Sequence, residues 1–204
     1  MVSNILSHSI KFLLIIFLFI ITSCTDEDLY KTKSFSSNGN VNAIVEIPAG
    51  TNLKYEYDSG DKRFKPNQVN GEDRIVNYLP YPVNYGFIPS TIMDKNKGGD
   101  GDPLDVLVIC PALETGTVVE VIPLALMKLF DAGEQDHKIV AIPACKDMQT
   151  VKAASYKELD SLYFGLKSII ELWFLNYKGK NITTGVEWYD EKYATEEIRK
   201  WIIP

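Results

Sequence analysis

The chain has 204 residues, enough for one domain with a sizeable core. Its 27 acidic and 21 basic residues give a formal net charge of −6, which argues against a general nucleic-acid-binding surface while leaving room for a local basic pocket. Three cysteines are too few to frame a disulfide scaffold.

The first segment reads as a leader. Residues 12–21 are an unbroken apolar run, too short for a comfortable membrane span and of the length of a signal-peptide core. Ile21-Thr22-Ser23-Cys24 follows and resembles the lipobox of bacterial lipoproteins, whose cysteine is lipidated and becomes the new amino terminus. This predicts a signal peptide over 1–23, a lipid anchor at Cys24 that holds the protein to a membrane, and a place in the cell envelope. A simple secretory signal cleaved nearby is the runner-up. Residues 24–40 are polar and predict a flexible tether, leaving 41–204 as the single folded domain. Cys110 and Cys145 remain there, as buried thiols or as one disulfide.

Residues 41–48 (VNAIVEIP) predict a strand with one acid, Glu46. Residues 52–58 (NLKYEYD) alternate, with Leu53, Tyr55 and Tyr57 on one side and Lys54 and Glu56 on the other. The two suit a hairpin turning at Ala49-Gly50. The polar side is either a solvated sheet surface or the lining of a polar cavity; period 2 fits both. Residues 59–73 read as loop, with Arg63, Lys65 and the following Arg74 as cations. In 78–91 prolines and tyrosines interleave around Asn84-Tyr85-Gly86, which excludes a regular helix and demands defined turns.

Residues 98–105 (GGDGDPLD) then bring Asp100, Asp102 and Asp105 within six residues, just before an apolar strand over 106–110. Like charges held together raise one another's pKa, and a hard divalent cation relieves that cost; a solvated Asp-Gly turn is the plain alternative. Residues 117–126 predict another strand, with Pro123 marking an edge or bulge. A second acidic turn over 131–138 carries Asp131, Asp136 and Lys138, and 139–143 is a strand out of it. A stripe of Leu159, Leu162, Leu166, Ile169, Ile170, Trp173, Phe174 and Tyr177 predicts one long helix over 156–177. A short strand over 186–189 and a last helix over 190–203 complete the chain. Several strands followed by two late helices predict a mainly β domain, a small closed or rolled sheet with helices packed outside.

Only two histidines occur, and neither a G-x-S-x-G nor a Walker loop is present. Clustered oxygen ligands point to magnesium or manganese. Carboxylates and magnesium beside Lys, Arg and Tyr suit phosphate chemistry, because metals polarise phosphoryl oxygens and cations compensate the anion. A structural calcium loop is the rival, although the EF-hand pattern is lacking.

Read together, these segments closely resemble the soluble family I inorganic pyrophosphatases. The strongest match is Asp100-Gly101-Asp102-Pro103-Leu104-Asp105, the family's D-G-D-x-x-D signature. Glu46-Ile47-Pro48, Lys54-Tyr55-Glu56, Tyr81 with Asn84-Tyr85-Gly86, Asp131 with Asp136 and Lys138, and Tyr177-Lys178 fall in family order. The resemblance implies a five-stranded OB-type closed barrel with packed helices, a homo-oligomer, and hydrolysis of pyrophosphate to two orthophosphates with Mg2+. It implies Glu46, Asp100, Asp105, Asp131 and Asp136 as metal ligands, with Glu56 acting through metal-bound water. Asp102 is implied as the group that orients and deprotonates the attacking water. Lys54, Arg74, Tyr81, Lys138, Tyr177 and Lys178 are implied as phosphate-binding residues, with Tyr85 close by in support. Two departures stand out. The loop before Tyr81 is long, which puts Arg74 in competition with Arg63, and Ala132 stands where compact members often carry an acid. A hydrolase of another small phosphate ester or short polyphosphate, and a silent phosphate-binding protein, are the alternatives.

Overall fold

The structure, a computed structural model, describes residues 27–203. The leader, Cys24 and residues 25–26 of the expected tether lie outside them. From the amino terminus the strands are β1 (Val41–Ile47), β2 (Tyr55–Asp58), β3 (Arg63–Pro66), β4 (Gln68–Val69), β5 (Glu72–Asp73) and β6 (Asn84–Phe87). They continue as β7 (Asp105–Val108), β8 (Val118–Asp131), β9 (Glu134–Gln135), β10 (Lys138–Pro143) and β11 (Thr183–Asp190). The α-helices are α1 (Tyr156–Leu162), α2 (Leu166–Asn176) and α3 (Glu191–Trp201).

The expected five-stranded closed barrel with two helices is corrected. The main sheet has seven strands, in the order β1-β6-β7-β10-β8-β11 with β9 folded onto the end of β8. β1 also pairs with β8, so it is hydrogen-bonded on both edges. Two further two-stranded ladders, β2–β3 and β4–β5, stand outside that sheet. The hairpin expected between 41–48 and 52–58 does not form, because β6 and β8 occupy both edges of β1 and β2 turns to β3 instead. Pro123 does lie at an irregularity, where the β8–β10 register shifts, which suits a residue that cannot donate to a ladder.

Alternation along the strands builds two cores. Leu107 faces Leu124, Met127, Val140 and the α2 residues Ile170, Trp173 and Phe174. Its neighbours Val106 and Val108 face Ile139, Ala141 and the α3 residues Ala194, Ile198 and Trp201. β10 is buried along its whole length, hence its apolar run from Ile139 onward, the mark of a strand covered on both faces.

The long helix expected over 156–177 is two. Ser155 caps α1 through the Glu158 amide at 3.2 Å, and Gly165 takes a left-handed φ of 83° between the helices. That break leaves Leu162, Phe164 and Ile169 exposed, so two members of the apolar stripe never reach the core. Residues 28–40, expected as tether, dock instead. Ser34 is buried and donates to the Pro89 carbonyl at 2.7 Å, Phe35 bridges Val41, and Leu29 and Tyr30 pack against Ile44, Tyr57 and Phe87.

Candidate active site

β7 and β10 run parallel with Asp105 opposite Lys138. Side chains at paired positions share a face, so the first residues of two core strands deliver a carboxylate and an ammonium to one point. Lys138 is 2 % exposed. Its ammonium bonds both Asp105 Oδ2 and Asp136 Oδ1, and the Tyr85 hydroxyl donates to Asp105 Oδ2 at 2.6 Å. Burial pushes Asp105 up against the pull of Lys138. Burial works the same way on Asp136, but the Lys138 charge outweighs it and holds that carboxyl down. The two carboxylates in turn keep the buried ammonium charged.

Glu46 arrives through a bulge. Val45 pairs with Gly86 and Ile47 with Tyr85, with a register shift between them, and a bulge of this kind re-aims a side chain. Glu46 Oε1 accepts the Tyr57 amide at 2.9 Å. Burial, partly offset by that bond, pushes its carboxyl up to about 8. The bulge needs Gly86, whose added Cβ would lie 1.9 Å from the Ile44 carbonyl oxygen.

The acidic loop is pinned by its own backbone. Met93 donates to the Asp102 carbonyl and Gly101 to the Met93 carbonyl, each at 2.8 Å. Asp100 Oδ1 accepts the Asp102 amide at 2.9 Å. Gly99 lies so close to Met93 that a Cβ would approach the Met93 carbonyl oxygen to 2.4 Å. Partial desolvation and then the Glu56 charge push Asp102 above the usual carboxylate range; desolvation raises Asp100 as well.

Lys54 and Glu56 share a side of their segment, as period 2 required, and form an ion pair at 2.7 Å. Burial raises Glu56, but the Lys54 bond and Asn67, which donates at 2.5 Å, bring it below its usual range. From the far side Lys178 bonds Asp131 Oδ2, while Asp131 Oδ1 is buried with no partner. Tyr177 stacks on Trp173 at 4.3 Å, and Trp173 packs against Tyr81 at 4.5 Å.

Two adjoining cavities of about 230 and 250 Å3 gather these groups. The first is lined by Lys54, Tyr81, Tyr85, Asp100, Asp102, Asp105, Asp131, Glu134, Asp136, Tyr177 and Lys178, and the second adds Glu46 and Glu56. Lys138 reaches the cavity through its two carboxylates. Arg74 stands outside the lining, but its charge acts on Glu56 and Tyr81; Arg63 sits opposite Asp58 at the tip of the β2–β3 hairpin. Sequence reasoning gave no site role to the lining residues Glu134, Tyr30, Tyr57, Phe87 and Pro103. Glu134 is two residues from Asp136, so strand alternation could have found it. Tyr30 carried no signal inside a polar tract.

The donor set fits hard divalent cations. Six carboxylates face two lysines in the first cavity, several of them are shifted towards protonation by burial, and the orphaned Asp131 oxygen lacks a partner. Among the described residues no three acids yet converge on one point, so the fit rests on charge and donor chemistry.

A family model described as inorganic pyrophosphatase matches residues 43–203. The chain is 40 % identical over 139 residues to an inorganic pyrophosphatase of Sulfolobus acidocaldarius, covering 68 % of this chain and 73 % of the relative. It is 39 % identical over 171 residues to that of Neisseria meningitidis serogroup B, covering 80 % and 89 %. The inorganic pyrophosphatase structure from Thermus thermophilus aligns with a TM-score of 0.69 at 31 % identity, covering 86 % of this chain and 97 % of that one. The Schistosoma japonicum structure aligns at 0.76 and 29 %, covering 83 % and 68 %. These comparisons correct the lipid anchor at Cys24, the membrane partner and the cell-envelope location. The matched range begins after the leader, none of these four relatives is named as anchored, and no helix among the described residues is long and apolar enough to cross a membrane. The match across most of the chain, together with the acid-rich cavity, shows that the chain belongs to the family I inorganic pyrophosphatases and hydrolyses pyrophosphate to two phosphates in a magnesium-dependent reaction.

Proposed function

We propose that the residues around the cavity divide by task. Asp100, Asp105, Asp131, Asp136 and Glu46 hold the magnesium ions, with Glu56 acting through bound water; manganese suits the same oxygen set. Bound there, the ions neutralise phosphate charge and acidify water. Lys54, Arg74, Tyr81, Lys138, Tyr177 and Lys178 bind the two phosphoryl groups. Tyr85, committed to Asp105 at 2.6 Å, supports a metal ligand and stands behind the substrate. Asp102 at the cavity mouth orients the attacking water and takes its proton as the new P–O bond forms. The bond to the bridging oxygen breaks, and the lysines and arginine compensate the leaving phosphate.

The observation that carries this reading is the six-to-two excess of carboxylates over lysines in the first cavity. An anion of high charge binds there only with cations beside it. Partial desolvation and then the Glu56 charge hold the Asp102 carboxyl above its usual range, which strengthens it as a base. Phosphate release from pyrophosphate with magnesium tests the assignment. Asp102→Asn is expected to lower kcat by about 100-fold or more while retaining the fold. Equal turnover in parent and variant would remove Asp102 from the reaction.

A further inference from the structure

The segment over residues 28–34 precedes the matched family range yet reaches the site. It lies as a strap across β2 and the turn after β6. Ser90 donates its amide to the Tyr30 carbonyl at 2.8 Å and its hydroxyl to the Thr32 carbonyl at 2.8 Å. Ser34 donates to Pro89 at 2.7 Å. These bonds fix the strap at several backbone points and place the Tyr30 ring edge-on to Tyr57 and Phe87, at 5.0 and 4.9 Å.

Tyr57 is the hinge of the argument. Its amide donates to Glu46 Oε1 at 2.9 Å. Its carbonyl accepts the Tyr30 hydroxyl at 3.2 Å, and its own hydroxyl accepts the Leu29 amide at 3.0 Å. The strap therefore grips the residue that holds Glu46. Tyr30 also forms part of the wall of the cavity that contains Glu46, Glu56, Asp102 and Asp105. Burial, and then the charges of Glu46, Asp102 and Glu56, hold the Tyr30 phenol above its usual range, so it stays a donor.

We propose that Tyr30 is a positioning residue of the site: carried in by the strap, it closes the apolar wall beside Glu46 and, through Tyr57, fixes that carboxylate where it takes up a divalent cation. The proposal rests on Glu46 being a metal ligand. Glu46 is aimed by a bulge and one amide bond, so slack at Tyr57 passes directly to the carboxylate. Residues that orient a ligand from behind change metal affinity by about ten- to a hundredfold.

The test is Mg2+ binding to the full chain without substrate, followed by titration calorimetry, alongside the Mg2+ half-saturation of pyrophosphate hydrolysis. Tyr30→Ala is expected to weaken the Mg2+ isotherm about tenfold and to raise the half-saturating Mg2+ in proportion. Turnover that recovers as Mg2+ is raised, with the loss concentrated in the Mg2+ requirement, is the signature expected of a positioning residue. Tyr30→Phe keeps the ring and loses one hydrogen bond, so it is expected to shift the isotherm by less than Tyr30→Ala; it also serves if Tyr30→Ala does not fold. A purely structural role would lower the melting temperature and leave the isotherm in place. Isotherms of both variants that superimpose on the parent, while Glu46→Gln weakens binding, would overturn the strap's role alone. An unchanged isotherm in Glu46→Gln would overturn the assignment of Glu46 and the strap's role with it.

Discussion

Gly86→Ala is the most demanding test of how the site is built. Gly86 is absent from the positive-φ glycines, so its backbone suits any residue, and the issue is space. The new methyl would lie 1.9 Å from the Ile44 carbonyl oxygen, 2.8 Å from its carbon and 2.9 Å from Val45 Cα. All three are backbone atoms, so no rotamer relieves the clash. A carbon–oxygen contact settles near 3.3 Å, so β1 and β6 must part locally by more than about 1 Å. β1 is held by β8 on its other edge and cannot simply slide away. The ladder bonds beside the clash contribute about 1 kcal/mol each, and overpacking adds about 1–3 kcal/mol. The expected loss is therefore about 3–5 kcal/mol, read as a fall in the urea midpoint at constant slope by tryptophan fluorescence. The same movement displaces Glu46, so molecules that remain folded should also need more magnesium for activity. A midpoint shift worth less than about 1 kcal/mol would show that the strand pair absorbs a methyl, and the account of the bulge would fail.

Other expectations concern the supports of the site. Glu197 accepts from His137 Nδ1 at 2.8 Å and Trp201 Nε1 at 2.7 Å. Burial pushes its carboxyl up, but these bonds prevail and hold it at about 2. A depressed carboxyl stabilises the fold above its unfolded pKa and loses that contribution as pH falls through the folded one, here between about 4.5 and 2. Glu197→Gln should therefore cost up to about 3 kcal/mol at pH 7, and the gap between parent and variant urea midpoints should narrow towards pH 2.5. A constant gap would detach the effect from ionisation. Ala132 has a φ of 49° beside Gly133 at 93° in the two-residue β8–β9 turn, a geometry that favours Asn-Gly. Ala132→Asn is expected to add about 0.5–1 kcal/mol of stability, measured as a higher denaturation midpoint. A lower midpoint would show that the Ala132 side chain is needed for another reason.

Much of the site was legible because its acids stand at the edges of strands. Asp105 opens β7, Asp131 ends β8 and Lys138 opens β10, so charge clusters abutting apolar runs marked both acidic turns. Lys54 and Glu56 were legible through period 2. Strand partnership was not, since an apolar run such as 41–48 says nothing about which edges will take it. The break at Gly165 was hidden because Leu162 and Ile169 continue the helical stripe although both face solvent. The docking of residues 28–40 was hidden by composition. Leu29, Tyr30 and Phe35 are few among polar residues, and only the apolar clusters they pack against give them a place.

The length of β8 has a consequence for how the molecule opens. One strand of 14 residues hydrogen-bonds β1, β9, β10 and β11, so it exchanges its amide hydrogens only when nearly the whole sheet comes apart. Asp131, Asp136 and Lys138 belong to that cooperative unit. Glu56 lies in the β2–β5 ladders with Lys54 just before them, and Tyr57 is the one buried residue between positions 55 and 73. That region has little to hold it once the strap lets go, and it can unlatch by itself at a small cost. The cavity thus spans a boundary between a wall that melts with the protein and a wall that breathes, and mild denaturant should part the two before the fold is lost.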